Sequence, residues 1–315
     1  VMVAKEAGAD AVKFQTFKAE NLVTKQAKQA TYQVENLKET TSQFAMLKKL
    51  ELTYEEFVEL QSFCQIEQIA ITTAKIPSGE LTNAPFIHYI ATKQVPIILS
   101  TGMATVEEIH EALAFISYGL VKSKEPVTIE NVHNFYATEE AKEALKKYVT
   151  ILHCTTQYPA PMDSINLKAM IEMERIFQLP IGLSDHSEGI HIPLAAVGMG
   201  ATVIEKHFTL DKTLEGPDHV ASLNPDELKS MITGIRKIEQ ALGDGIKSPT
   251  PIELQNRIPV RKSLVAKKPI QAGEVISVNN LTVKRPGDGM QPSKYWSLIG
   301  EIASKSYEED ELIDE

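Results

Sequence analysis

The stretch TVIEKHFTLDKTLEGPDH, residues 202–219, opens on an apolar run from Thr202 to Ile204. It passes directly into Glu205, Lys206, His207, Asp211, Glu215, Asp218 and His219. A short apolar run without polar alternation reads as a strand buried on both faces. A single such stretch would be an ordinary loop after a core strand, but the pattern recurs. Comparable runs lie at residues 11–14 (AVKF), 70–73 (IAIT), 75–80 (KIPSGE), 96–101 (PIILST), 149–155 (VTILHCT) and 181–184 (IGLS), most of them followed by polar or ionisable residues. Helical segments separate most of them. Thr105 and Glu108 form a capping box that opens one helix. Asn224 caps another, with Pro225 in its first turn, Leu228, Met231, Ile232, Ile235, Ile238 and Leu242 on one face, and Gly243 at its end. The first residues read as the last turns of a helix, with Gly8 as its terminator. Strand–helix units repeated over about 250 residues predict a (β/α)8 TIM barrel, with an open doubly wound sheet as the alternative.

Two irregularities qualify that reading. Only seven strand ends can be counted, so the eighth is expected before Val1. IAITTA runs straight into KIPSGE, and parallel strands need a crossover of about a dozen residues, so a segment is expected to be absent between Ala74 and Lys75. The barrel is expected over 1–247. A proline-rich linker without apolar periodicity is expected over 248–259, and a small β-rich domain over 260–315, too small to be robust alone. Residues 122–148 read as a charged surface excursion.

Composition narrows the function. With 315 residues, 43% of them hydrophobic, the chain can bury a large core. Its net charge of −10 offers no basic stripe for phosphate neutralisation, which excludes a nucleic-acid binder. Cys64 and Cys154, the only cysteines, lack metal-ligand or disulfide spacing, which fits a reducing cytoplasm. No apolar run reaches about 18 residues, so no membrane partner is expected.

In a barrel the carboxyl ends of the strands meet at one mouth, which gathers residues far apart in sequence. Those ends supply Lys13 and Gln15; Lys75, Ser78 and Glu80; Ser100 and Thr101; His153, Thr156 and Tyr158; Ser184, Asp185 and His186; and Glu205 with His207. Taken singly, each also fits an ordinary turn or a solvated side chain; their joint placement carries the argument. His186 and His207 end successive strands, and with Asp185, Glu205 and Asp218 near them they suit a divalent metal. Lys13 and Lys75, with the Ser78 and Ser100 hydroxyls, form a cradle for a phosphate and a carboxylate. That combination suggests an enolpyruvate nucleophile meeting an aldehyde.

VKFQTF, KIPSGE, PIILSTGM, LHCTTQYPAP, IGLSDH, VIEKHFTLD, EGPDH and KRPGDG together resemble the bacterial sialic acid synthase family, including its N,N'-diacetyllegionaminate and pseudaminate branches. The resemblance implies a TIM barrel followed by an antifreeze-like (SAF) domain of type III, and a domain-swapped homodimer. It implies condensation of phosphoenolpyruvate with an N-acylmannosamine-type sugar, with C–O cleavage and release of phosphate. His186 and His207 would hold Mn²⁺, Mg²⁺ or Co²⁺. Lys13, Thr73, Lys75, Ser78, Ser100 and Ser184 would contact phosphoenolpyruvate. Glu80, Glu205, Asp218, Gln15 and Tyr158 would surround the acceptor and the chemistry, and Arg285 would reach the N-acyl group across the dimer. Thr156 departs from the asparagine of some members. The family's opening strand with its glutamate, and its STPFD segment after Thr73, are absent. A Schiff-base aldolase using Lys75, and a non-catalytic sugar-binding protein, are the competing expectations.

Overall fold

The structure, a computed structural model, describes residues 1–38, 40–69 and 73–314. Two compact units divide the chain, Val1–Gly243 and Asp244–Glu315. In the first, five strands form one parallel sheet: β1 (Ala74–Ile76), β2 (Ile97–Ser100), β3 (Val149–Cys154), β4 (Ile181–Asp185) and β5 (Val203–Lys206). Each pairs with the next in sequence, the order of a TIM-barrel wall rather than of a doubly wound sheet, whose order reverses midway. Ile76, Ile97, Leu99, Val149, Ile151, Ile181 and Leu183 are almost wholly buried, so β1 to β4 contribute large aliphatic side chains to a single core. At Gly182 an added Cβ would stand 2.3 Å from the Val203 carbonyl oxygen, so only glycine lets β5 approach β4 there.

Helices fill the connections and cover the sheet. Val106–Val121 starts at the expected Thr105–Glu108 capping box. Pro225–Leu242 starts where Asn224 accepts from the Glu227 N–H, and ends at Gly243 with φ +63°. No helix among the described residues is long and apolar enough to cross a membrane.

Several expectations need correction. The segment 11–14 carries a bridge at Ala11 alone and joins no ladder among the described residues. Of the run at 70–73, residues 70–72 lie outside the described residues, and Thr73 is a bend. The chain is not interrupted between Ala74 and Lys75, because both belong to β1 and face consecutive partners, Ile97 and Ile98. β5 is half-buried rather than fully buried. Residues 122–148 are more than an excursion. Their two helices, Ile129–Tyr136 and Glu139–Tyr148, bury Val132, Phe135, Ala141 and Leu145 in the main core, an i, i+3/i+4 face masked by surrounding charge. The proline-rich stretch contains a helix, Pro251–Val260, because Pro251 sits in the first turn and Thr250 and Glu253 cap each other's backbone N–H.

The second unit pairs β6 (Ser263–Ala266) with β7 (Leu281–Lys284) in antiparallel register. Isolated bridges Ile270↔Tyr307 and Val275↔Ile302 extend it around a small core of Leu264, Ile270, Ile276, Leu281, Tyr307 and Ile313.

Candidate active site

His186 and His207 are the first residues beyond the ends of β4 and β5. The strands are in register, Ser184 opposite Glu205 and Asp185 opposite Lys206. Side chains alternate faces along a strand, so Ser184, His186, Glu205 and His207 share one face while Asp185 and Lys206 take the other. The two imidazole centroids stand 5.4 Å apart at 61°. Tyr158 lies against both, 4.0 Å from the His186 ring and 5.6 Å from the His207 ring. His186 Nδ1 is 2.8 Å from the Thr155 carbonyl oxygen, which can only accept, so Nδ1 carries the proton and Nε2 keeps its lone pair. Burial, then the neighbouring His186 and Lys13, depress the His207 pKa from 6.5 to about 4, so that ring is neutral near pH 7. His207 Nδ1 lies 3.9 Å from Asp218 Oδ2, and burial raises the Asp218 carboxyl above its ordinary range.

Glu205 ties both lysines to this face. Lys13 donates to Oε1, and Lys75 Nζ is 2.9 Å from Oε2. Burial opposes ionisation of Glu205, but the two ammonium groups outweigh it and bring its pKa to about 2. Lys75 is held below the ordinary lysine range by burial; Glu205 counteracts this and Lys13 reinforces it. Two cations against one carboxylate leave a local excess of positive charge.

A polar pocket adjoins them at the end of β2. Ser78 Oγ accepts from the Gly102 N–H at 3.0 Å. A Cβ on Gly102 would lie 2.2 Å from Thr156 Oγ1, 2.8 Å from Ser78 Oγ and 3.1 Å from Cys154 Sγ, so the glycine keeps these groups together. Ser100 Oγ and Thr156 Oγ1 are buried without a hydrogen-bond partner among the described residues, the condition of a site that awaits an acceptor. Cys154 Sγ is 3.8 Å from His186 Nδ1. Burial pushes the thiol up, but His186 and Ser78 prevail and lower its pKa to about 7, while the thiol raises that of His186 against the opposing effect of burial.

The structure therefore brings together Lys13, Lys75, Glu205, His186, His207, Tyr158 and Asp218, with Ser78 joined to them through Cys154. Ser184 is buried on β4 opposite Glu205. Glu80 lies in the turn Ser78–Glu80 and accepts from Asn83 Nδ2 at 2.6 Å rather than from the cluster. Gln15 and Thr73 are exposed, and Arg285 is exposed in the second unit. His153 turns away, its Nε2 2.6 Å from the Ile165 carbonyl oxygen. Asp185 is not a carboxylate for a metal, because it is engaged by Lys206 on the opposite face. Among the described residues no group of three or more His, Cys, Asp and Glu is arranged to hold a metal ion. Two neutral-capable imidazoles with a backbone-oriented tautomer nonetheless fit one divalent ion with its other positions open.

Sequence reasoning missed Cys154, Tyr32 and Asn36. Tyr32 stacks 4.9 Å from Tyr158, and burial, then Asp218, push its pKa up to about 12. Asn36 Nδ2 donates to the Pro217 carbonyl at 2.6 Å, which ties the helix Thr31–Leu37 to the loop bearing Asp218. The only local sign was the LHCTT run, which places a thiol one residue past His153.

With this geometry established, comparison with known proteins decides the relationship. Residues 1–74 and 65–247 match the NeuB family, and residues 261–315 match the SAF domain. The chain belongs to the NeuB family. N,N'-diacetyllegionaminic acid synthase of Campylobacter jejuni is 45% identical over 333 aligned residues, covering 100% of this chain and 93% of that protein. The enzyme of the same name from Legionella pneumophila is 42% identical, covering 95% and 83%. Among solved structures, the N-acetylneuraminic acid synthetase of Leptospira borgpetersenii in complex with citrate superposes with a TM-score of 0.62 at 28% identity, over 81% of each chain.

Proposed function

We propose that this NeuB-family chain is a sialic acid synthase that condenses phosphoenolpyruvate with an N-acylmannosamine-type sugar and water. The products are a nine-carbon sialic acid and phosphate. One observation carries the reading: two imidazoles from adjacent strand ends converge, 5.4 Å apart, beside a carboxylate that gathers two lysines. His186 and His207 hold a divalent metal, Mn²⁺ or a related ion, which when bound supplies Lewis-acid polarisation of the sugar aldehyde. Lys13 and Lys75 receive the phosphate and carboxylate of phosphoenolpyruvate, and the unsatisfied Ser100 and Thr156 hydroxyls donate to its oxygens. Tyr158, ring against both histidines, walls the acceptor.

Carbon 3 of phosphoenolpyruvate attacks the aldehyde carbon, whose oxygen takes up a proton. Water adds to the cationic C2 and gives its proton to a carboxylate, and collapse of the tetrahedral centre breaks the C2–O bond to release phosphate. Glu205 is ionised throughout the working pH range, so it stabilises the positive charge at C2 and keeps the lysines aligned. Asp218, 3.9 Å from His207 Nδ1, is the candidate for accepting the water proton, because the Glu80 carboxylate is turned to Asn83.

In ¹⁸O-labelled water the label enters the sialic acid; label confined to phosphate rejects C–O cleavage. Two relatives at 45% and 42% identity bear the name N,N'-diacetyllegionaminic acid synthase. The acceptor on this reading is therefore 2,4-diacetamido-2,4,6-trideoxymannose, used with higher kcat/KM than N-acetylmannosamine. The reading also includes a homodimer in the cytoplasm, with Arg285 of the partner subunit at the N-acyl group. Sedimentation of the full chain tests the dimer.

A second reading has its own observation. Burial lowers the Lys75 pKa, which favours the free amine a Schiff base requires. Borohydride trapping of pyruvate on Lys75, with activity surviving chelation, would establish it in place of the condensation.

A further inference from the structure

Directly behind the two histidines, on the opposite face of β4 and β5, lies a charged cluster sealed from water. Lys206 Nζ is 2.6 Å from Asp185 Oδ2, and both side chains are 2% exposed. Lys206 also donates to the Ser187 carbonyl. Asp185 in turn accepts from the Ser187 backbone N–H at Oδ1 and from its hydroxyl at Oδ2, each at 3.0 Å. Ser187 is fully buried. Every member is thus adjacent to one of the imidazoles. Asp185 and Ser187 flank His186 on either side, and Lys206 immediately precedes His207.

We propose that Lys206, Asp185 and Ser187 are positioning residues that fix the spacing and orientation of His186 relative to His207. This inference rests on the proposed role of the two histidines as metal ligands. Among the described residues the ladder joins β4 and β5 only up to Asp185 and Lys206; beyond it the His186 carbonyl accepts from the Ala160 N–H at 2.9 Å, a contact from the loop after β3 and not from β5. The lysine adds a second hold, from the neighbouring strand, with one ammonium group engaging the side chain before His186 and the carbonyl after it. A dehydrated ion pair adds little net stability over apolar residues of the same volume, yet losing one partner leaves an unpaired buried charge. Its physical advantage here is directional. Three donors on a tetrahedral ammonium and two carboxylate oxygens allow few arrangements, so the loop carrying His186 is restricted to one.

Mn²⁺ binding, measured by calorimetry on the full chain without substrates, separates positioning from stability. In Asp185→Asn the affinity should fall about 10–100-fold, the range found when residues that orient metal ligands are altered. Ser187→Ala, which removes one hydrogen bond and no charge, should keep its Tm within a few degrees of wild type and lose affinity by a few-fold. The double variant Asp185→Asn/Lys206→Met removes the unpaired charge, so its Tm should recover relative to the single variant while its Mn²⁺ affinity stays low. Val132→Ala, a remote core truncation, lowers Tm and should leave Mn²⁺ affinity unchanged. The inference is overturned if Asp185→Asn and Ser187→Ala both bind Mn²⁺ as wild type does, or if the double variant recovers affinity together with Tm. No Mn²⁺ binding by wild type itself would instead overturn the metal reading of His186 and His207, and the brace would then have no ligand pair to align.

Discussion

The two faces of the β4–β5 pair each carry a lysine–carboxylate contact, one residue apart in sequence, and they differ in every physical respect that matters. Behind the strands, Lys206 and Asp185 match one cation to one anion, with both side chains 2% exposed. In front, Glu205 faces two lysines, and the side chains of Lys13, Lys75 and Glu205 remain 34%, 12% and 16% exposed. A closed one-to-one pair has nothing left to offer a ligand. An open pair with an extra cation can exchange part of its partnership for an anionic substrate, and its residual positive charge attracts one. Charge pairing alone therefore does not mark a site; stoichiometry and access to water do.

Experiments can break this contrast or sharpen it. Glu205→Gln has the largest expected effect, because it leaves Lys13 and Lys75 without their shared anion and removes the charge facing C2. Steady-state kcat/KM should drop roughly 10³-fold, and a loss under tenfold would make the front pair merely structural. Asp185→Asn should reduce unfolding free energy by about 3–5 kcal/mol, measured by urea titration, since it strands the Lys206 charge in the interior. If its stability equals that of Lys13→Ala, the two faces are not different in kind.

Acid should next separate front from surface. Glu205 has a folded-state pKa of about 2 against an ordinary 4.5, so its contribution is complete above pH 4.5 and disappears as pH falls toward 2. Wild type should lose stability relative to Glu205→Gln across that window and show no such relative change between pH 5 and 7. Lys13→Ala should weaken phosphoenolpyruvate binding about tenfold in a fluorescence or calorimetric titration and leave Tm within a few degrees. The smallest change is expected at an exposed pair, Lys142–Glu139, 2.6 Å apart but open to solvent. There Glu139→Gln should alter stability by less than about 0.5 kcal/mol.

Much of this molecule was legible beforehand because it depends on local pattern. The capping box at Thr105, the Asn224 cap and the Gly243 stop all place helix ends through interactions spanning a few residues. Apolar runs at 97–100, 149–154 and 181–185 became strands because each is buried by neighbours of the same kind. The pairing of His186 with His207 was also legible, since both follow strands that are consecutive in a parallel sheet. The segment 11–14 joins no ladder among the described residues, and its apolar residues by themselves say nothing about whether a ladder partner stands beside them. Residues 122–148 misled because their buried face is only four residues wide in a charged sequence. Asp185 misled for a different reason. A carboxylate next to a histidine in sequence lies on the opposite side of the strand.

The motifs KIPSGE, IGLSDH and VIEKHFTLD carried the resemblance to the family, while the order of apolar runs and caps in the sequence was sufficient to determine a parallel α/β wall and the strand ends that share one edge. Such features follow from short-range periodicity and from the rule that parallel strands align their carboxyl ends. Tertiary structure alone decided which charges meet. Lys13 and Glu205 are 192 positions apart, and electrostatic strength depends on distance and on access to water, neither of which is written in the spacing of residues along the chain. For the same reason only the folded chain distinguishes Lys206, closed behind the strands, from Lys75, open in front of them.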